Sequence, residues 1–265
     1  MLVLAVACPG RATAQLYPAL PRRYLLSADA FDGRAVWANP AGLARRVEAS
    51  LGADATIERQ PGSIRLSQFG ATVRSRNIAF AWTHDRYAQG SGANNFAAGV
   101  GLGDEGLSLG VTRVWYGGPR GDNTWDVAAR GRPTPLLDLS LVWRNVGSPT
   151  VRDTLYEASV IPAVALHLLD GRLLAGAEWD LPTDLRALRE VRVGATGIVA
   201  AGIAVSLRGE FSPGGSRRGF ALAITLGAAT TRSTLVALLP GGANSIETIG
   251  VSSALISTEP PSARR

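Results

Sequence analysis

From about Val47 onward, apolar side chains alternate with polar or small ones at a period of two. The alternation runs in segments of roughly 9 to 12 residues separated by Gly, Pro, Asn and Asp clusters. In one segment Leu137, Leu139, Leu141 and Trp143 share a face, while Asp138, Ser140 and then Arg144 take the other. Val205, Leu207 and Phe211 likewise oppose Ser206, Arg208 and Glu210. Trp125, Val127 and Ala129 oppose Asp126, Ala128 and Arg130, and Ala175, Ala177, Trp179 and Leu181 oppose Gly176, Glu178 and Asp180. A helix cannot gather such a pattern onto one side, whereas a strand does so at every second residue.

Ten further segments behave in the same way: Val47–Ile57, Ser63–Val73, Asn77–Trp82, Phe96–Leu102, Leu107–Tyr116, Val160–Leu168, Val191–Val199, Gly219–Ala228, Thr234–Leu239 and Thr248–Ile256. The pattern therefore predicts about fourteen strands, with twelve as the alternative count. The only helix-like stretches are short, Ala41–Arg46 and Thr183–Arg189. Strands in soluble sandwiches average about 5 to 6 residues, whereas a strand that crosses a bilayer needs about 9 to 11. Trp82, Trp115, Trp125, Trp143 and Trp179 lie near segment ends, and Tyr87 and Tyr116 lie beside turns, as in the interfacial girdles of membrane barrels. The expected fold is all-β: an antiparallel up-and-down transmembrane barrel over 47–257. A secreted soluble β protein is the competing class.

The composition agrees with this expectation. Of 265 residues, 46% are hydrophobic and 18% charged, which argues against disorder. The longest uncharged apolar run, Val193–Leu207, is too short for a spanning helix, which needs about 20 residues. All 27 basic residues are arginines, scattered singly or in pairs, so the net charge of +6 forms no nucleic-acid stripe and no nucleic-acid partner is expected. One cysteine, Cys8, excludes a disulfide framework.

At the start, Met1–Ala7 is a short apolar core followed by Ala12-Thr13-Ala14, the arrangement a signal peptidase accepts. Residues 1–14 are read as a signal peptide, with Gln15 first in the mature chain. An acylated Cys8 after Ala5-Val6-Ala7 is the rival processing route. Residues 258–265, rich in Pro, Ser and Arg, read as a tail or linker.

The segment Ala30–Arg45, AFDGRAVWANPAGLAR, carries Trp37-Ala38-Asn39-Pro40-Ala41-Gly42-Leu43, and Leu141–Pro149 reads LVWRNVGSP, a strand ending in an Asn-x-Gly turn. Together they resemble the FadL/PorV group of outer-membrane barrels. The resemblance implies a 14-stranded barrel in the bacterial outer membrane, with 15–46 folded as a hatch and Asn39 in the lumen. It also implies passive transport of small molecules, hydrophobic ligands among them. The alternative it carries is a non-enzymatic scaffold or anchor for a periplasmic or secretion partner, or for a fused domain. The chain departs from the FadL pattern in its short connections and in its last residues. On physical grounds alone, Pro40 cannot donate to a strand ladder and Asn39 can bond its own local backbone, so this piece is a turn.

The other motif matches are better explained as structure. Gly101-Leu-Gly-Asp-Glu-Gly106 fits a dinucleotide fingerprint, but no helix follows to receive a pyrophosphate and Asp104-Glu105 would repel one. Gly106-Leu-Ser108-Leu-Gly110 fits a nucleophile elbow, but Ser108 falls within an alternating strand. His84 and His167 are too few for a metal site. No catalytic residue, cofactor or metal is therefore expected. With the apolar face on lipid, the lumen would receive Asp126, Arg130, Asp138, Arg144, Glu178, Asp180, Arg192, Arg208 and Glu210, as a charged pathway or as a salt-bridged plug. An arginine at Leu139 or Leu207 should then be costly, and one at Ser140 much less so.

Overall fold

The alternating segments become long strands that close on themselves. In the computed structural model, which describes residues 19–60, 62–86, 92–117, 122–151, 154–227, 230–242 and 245–258, fourteen antiparallel strands form a closed barrel. They are β1 (Ala49–Gln60), β2 (Ser63–Ser75), β3 (Ile78–Arg86), β4 (Gly92–Gly103), β5 (Leu107–Trp115), β6 (Asn123–Thr134) and β7 (Leu137–Val146) in the first half. The second half holds β10 (Ser159–Leu168), β11 (Leu173–Pro182), β12 (Glu190–Ala200), β13 (Ile203–Phe211), β14 (Arg217–Gly227), β15 (Thr231–Pro240) and β16 (Thr248–Ser257). Between β7 and β10 lies a small hairpin, β8 (Thr150–Val151) and β9 (Thr154–Leu155). Successive barrel strands pair throughout, β7 with β10 across the hairpin, and β16 returns to β1 with Ser257 opposite Ala49 and Thr248 opposite Glu58. Closure removes the unpaired edges that an open sheet would expose.

The side-chain period decides which surface each residue meets. On β5, Leu107 and Leu109 are 66% and 56% exposed while Ser108 between them is 1% exposed. Leu51, Ile64, Phe80, Leu102, Leu139, Leu141, Val193, Leu207, Leu226, Leu235 and Leu255 continue this exposed apolar band around the barrel. Such a band far exceeds the apolar patches of water-soluble monomers, and it is a lipid-facing surface. Strand lengths of 9 to 13 residues match the bilayer thickness.

The two rims differ. On the rim that carries the start of β1 and the end of β16, the connections are tight; at Ala201-Gly202 the chain reverses with Gly202 at φ 74°, a conformation glycine adopts without strain. The opposite rim carries the longer loops. Phe96, Trp115, Trp125, Trp143, Trp179, Phe211 and Phe220 lie in the parts of their strands nearer that loop rim. Trp82, expected near a strand end, is instead the midpoint of β3, because that strand runs on through Thr83 and His84 to Arg86.

Two other local expectations change. Thr183–Arg189 is a bend with Leu185 at φ 55°, not a helix; the left-handed residue interrupts any helical turn. Tyr116 is buried and stacks on Tyr156 with ring centroids 5.8 Å apart, so it seals the loop side of the interior instead of facing lipid. Residues 1–14, Cys8, Tyr87 and the tail beyond Thr258 lie outside the described residues.

Candidate functional site

The barrel interior is occupied by the chain's own N-terminal segment. It contains α1 (Leu20–Tyr24), α2 (Ala35–Ala38) and a 3-10 turn, Pro40–Ala44. Trp37, Asn39, Pro40, Ala41, Gly42 and Leu43 are all buried. Asn39 shows why the motif needs its residue types. Its Oδ1 accepts from the Ala41 backbone N–H at 3.0 Å and starts the turn, while its Nδ2 donates to the Ser27 carbonyl at 3.0 Å. Pro40 follows in the first turn, where its missing N–H is harmless.

Glycines on the inward rows let this backbone approach the wall. A Cβ on Gly110 would overlap the Pro40 carbonyl, and one on Gly101 would stand 2.5 Å from the Ala44 nitrogen. On the far side of the barrel, a Cβ on Gly250 would come within 2.6 Å of Leu20. Leu26 packs beside Gly176 and Gly194 in the same way. The segment thus touches wall strands on both sides of the interior.

Charged wall residues hold the segment by its backbone. Arg208 donates to the carbonyls of Arg22 and Leu25 at 2.8 and 2.7 Å, and Arg144 donates to that of Ala38 at 2.9 Å. Glu178 accepts from the Ser27 N–H at 2.9 Å and pairs with Arg192 at 3.0 Å. Asp126 pairs with Arg22 at 2.6 Å. Asp180 and Glu210 stand 3.7 and 4.0 Å from Arg192, and Glu210 pairs with Arg208 at 3.0 Å. These seven form one mixed-sign network around the segment. Arg130 and Asp138 are apart from it: they pair at 2.7 Å and join Arg132 and His167 near the short-turn rim.

Several of the strongest contacts come from residues the alternation did not single out. Arg74, 1% exposed, donates to the carbonyls of Phe31, Leu43, Arg45 and Arg76. Gln68 accepts from the Leu20 N–H, and Ser50 from the Gly33 N–H. Within the segment, Arg34 joins Asp32 to the Tyr24 hydroxyl. In-phase placement of Arg74 with Thr72, Gly70 and Gln68 on β2 was the available signal.

Packing also corrects the Ser140 expectation. Ser140 is buried, and its Oγ lies 3.3 Å from that of Ser27. An arginine there would collide with the segment instead of reaching an aqueous lumen. Ser108 is buried on β5, and Gly101 and Gly103 belong to β4, so both motif matches are strand-and-turn elements. His84 bonds Asn94 on the outer face, and His167 bonds Asp138.

The segment leaves one side unfilled. A cavity of about 500 Å³ lies between it and the wall from β10 to β15. Leu25, Phe31, Leu174, Ile198 and Ala204 give it apolar surface; Thr196, Ser206, Thr225 and Thr234 add hydroxyls; Asp29, Arg34, Arg172 and Arg232 add charge.

No protein-family model and no curated protein sequence matches the chain. Solved structures do. The CymD monoaromatic hydrocarbon channel superposes with a TM-score of 0.59 at 9% identity, covering 94% of this chain and 98% of that one. The chain has the outer-membrane β-barrel fold. A mutant of Rh. blastica porin aligns with a TM-score of 0.48 at 9% identity, over 78% of this chain and 98% of the porin.

Proposed function

We propose that the protein is a passive outer-membrane channel for small molecules, hydrophobic ones among them, with residues 15–46 acting as a hatch inside the 47–257 barrel. The observation that carries this reading is the amphiphilic cavity between segment and wall. Its volume of about 500 Å³ falls in the range that encloses small organic ligands. Apolar groups with a minority of hydroxyls and charges suit a weakly held guest, which a conducting path requires. The likeness to a monoaromatic hydrocarbon channel favours the same solute class, and the buried Asn39-Pro40-Ala41 turn favours a FadL/PorV-like hatch. The paired lumenal charges serve as the seat of the hatch, because cations and anions alternate too closely to leave one sign for an ion filter.

The test is the uptake rate of a labelled monoaromatic hydrocarbon by intact cells making the protein or its Ala204→Trp variant. Ala204 lines the cavity, so the indole should slow uptake several-fold while the barrel stays folded. Equal rates for wild type, variant and cells without the protein would sink the transport reading in favour of a scaffold or anchor for a periplasmic or secretion partner.

A further inference from the structure

Charged residues in phase with the lipid-facing rows are Arg59, Arg86, Arg113 and Arg218, with no acid among the described strand residues on that face. Arg59, Arg86 and Arg218 are exposed and occupy the last two positions at the loop-rim ends of their strands, where a long side chain reaches water. Arg113 differs. It is third from the end of β5 and half-buried, with its guanidinium 5.3 Å from the Trp115 ring and 5.2 Å from the Trp125 ring.

Its hydrogen bonding is incomplete. Nη2 donates to Asn123 Oδ1 at 3.2 Å, whereas Nε is buried with no partner, and no carboxylate pairs with Arg113 among the described residues. A cation held among indoles on a lipid-facing wall is costly unless an anion joins it. In outer-membrane barrels the longer loops face outward and the tight turns face the periplasm, which puts Arg113 in the outer leaflet.

We propose that Arg113, with Trp115, Trp125 and Asn123, is a binding site on the barrel's outer wall for the phosphate of an outer-leaflet glycolipid. The planar guanidinium offers paired N–H donors that match phosphate oxygens. The two indoles fix its plane through cation–π contact and present apolar surface to the lipid's sugar and acyl chains. Asn123 occupies one donor and orients the fork. The ligand is lipid-borne because its acyl chains lie against the band formed by Val111, Leu109 and Leu107 below Arg113 on the same strand.

Native mass spectrometry of the detergent-purified barrel tests this with three probes: diphosphorylated lipid A, enzymatically dephosphorylated lipid A, and inorganic phosphate. Wild-type protein should retain lipid A about tenfold or more over the dephosphorylated form. Arg113→Gln should abolish that preference, and Arg218→Gln should preserve it. Arg113→Lys keeps the charge but not the fork and should retain part of the preference, which keeps the test decisive if the glutamine variant fails to fold. Equal retention of the two lipids by wild type, an unchanged preference in both Arg113 variants, or competition by inorganic phosphate at matched concentration would overturn the proposal.

Discussion

Arg74→Met tests the seating of the N-terminal segment at its most connected point. The arginine is 1% exposed and gives its guanidinium to three carbonyls of the segment, those of Phe31, Leu43 and Arg45, and to one beyond its own strand, that of Arg76. Methionine fills similar space without a donor. Three segment carbonyls would then lose their charged partner, at about 1–3 kcal/mol each, an upper sum of about 3–9 kcal/mol. Two effects reduce that sum: the variant also removes a buried cation whose desolvation opposed the folded state, and water can reach freed carbonyls. A net weakening of segment docking by about 2–4 kcal/mol follows. The β2 ladder to β1 and β3 uses backbone groups and should be unaffected. Trypsin provides the assay, because the segment contains Arg22, Arg23, Arg34 and Arg45. The wild-type barrel should protect these sites; Arg74→Met should expose them at least tenfold faster while strand content by circular dichroism stays constant. Unchanged protection in a folded variant would show that the wall carbonyl contacts do not hold the segment.

Other outcomes follow from the same geometry. Gly110→Val should strain the Pro40–Ala44 turn by about 1–3 kcal/mol, as overpacking does, and raise trypsin sensitivity in proportion; a variant as protected as wild type would contradict the close approach. Leu207→Arg, at the centre of β13 on the exposed apolar band, should destabilise folding into lipid vesicles by about 2–4 kcal/mol, and Leu139→Arg, third from the tight-turn end of β7 on the same band, by less; a cost near zero for Leu207→Arg would remove the lipid-facing assignment. In the exposed β4–β5 turn, the Leu107 and Gly106 backbone N–H groups hold the Asp104 carboxyl below its ordinary range. Its contribution is therefore present above the unfolded value of about 3.9 and is lost as pH falls through the lower folded value; an NMR titration midpoint at or above the unfolded value would refute this.

Barrel, strand count and lipid-facing rows were legible because each rests on a period of two repeated over fourteen strands, and Leu107-Ser108-Leu109 already separates the two surfaces. The inward phase of the charged residues was legible for the same reason, since Glu178 and Arg208 lie opposite Trp179 and Leu207. What they bind was not. Asp126 grips Arg22 across 104 residues, and Glu178 grips the Ser27 backbone across 151, separations that no local pattern encodes. Arg74 was missed because a single arginine near a strand end looks like an ordinary solvated end. An inward glycine such as Gly176 looks on sequence alone like a small member of an alternating strand; that Gly110 admits the Pro40 carbonyl follows only from the closed barrel. Tyr116 shows the converse failure, where a position beside a turn suggested lipid and tertiary packing against Tyr156 turned the ring inward.

Single-channel recording in planar bilayers, comparing the wild type with a deletion of Trp37–Leu43, tests the central claim most directly. That deletion removes the turn that Gly99, Gly101 and Gly110 accommodate and that Arg74 and Arg144 hold. Irregular backbone at membrane depth survives only when buried in protein or lining a cavity, so its loss should open a path through the barrel. The account predicts a clear rise in conductance with unchanged strand content by circular dichroism; unchanged conductance from an intact barrel would place the turn outside any pore and contradict it.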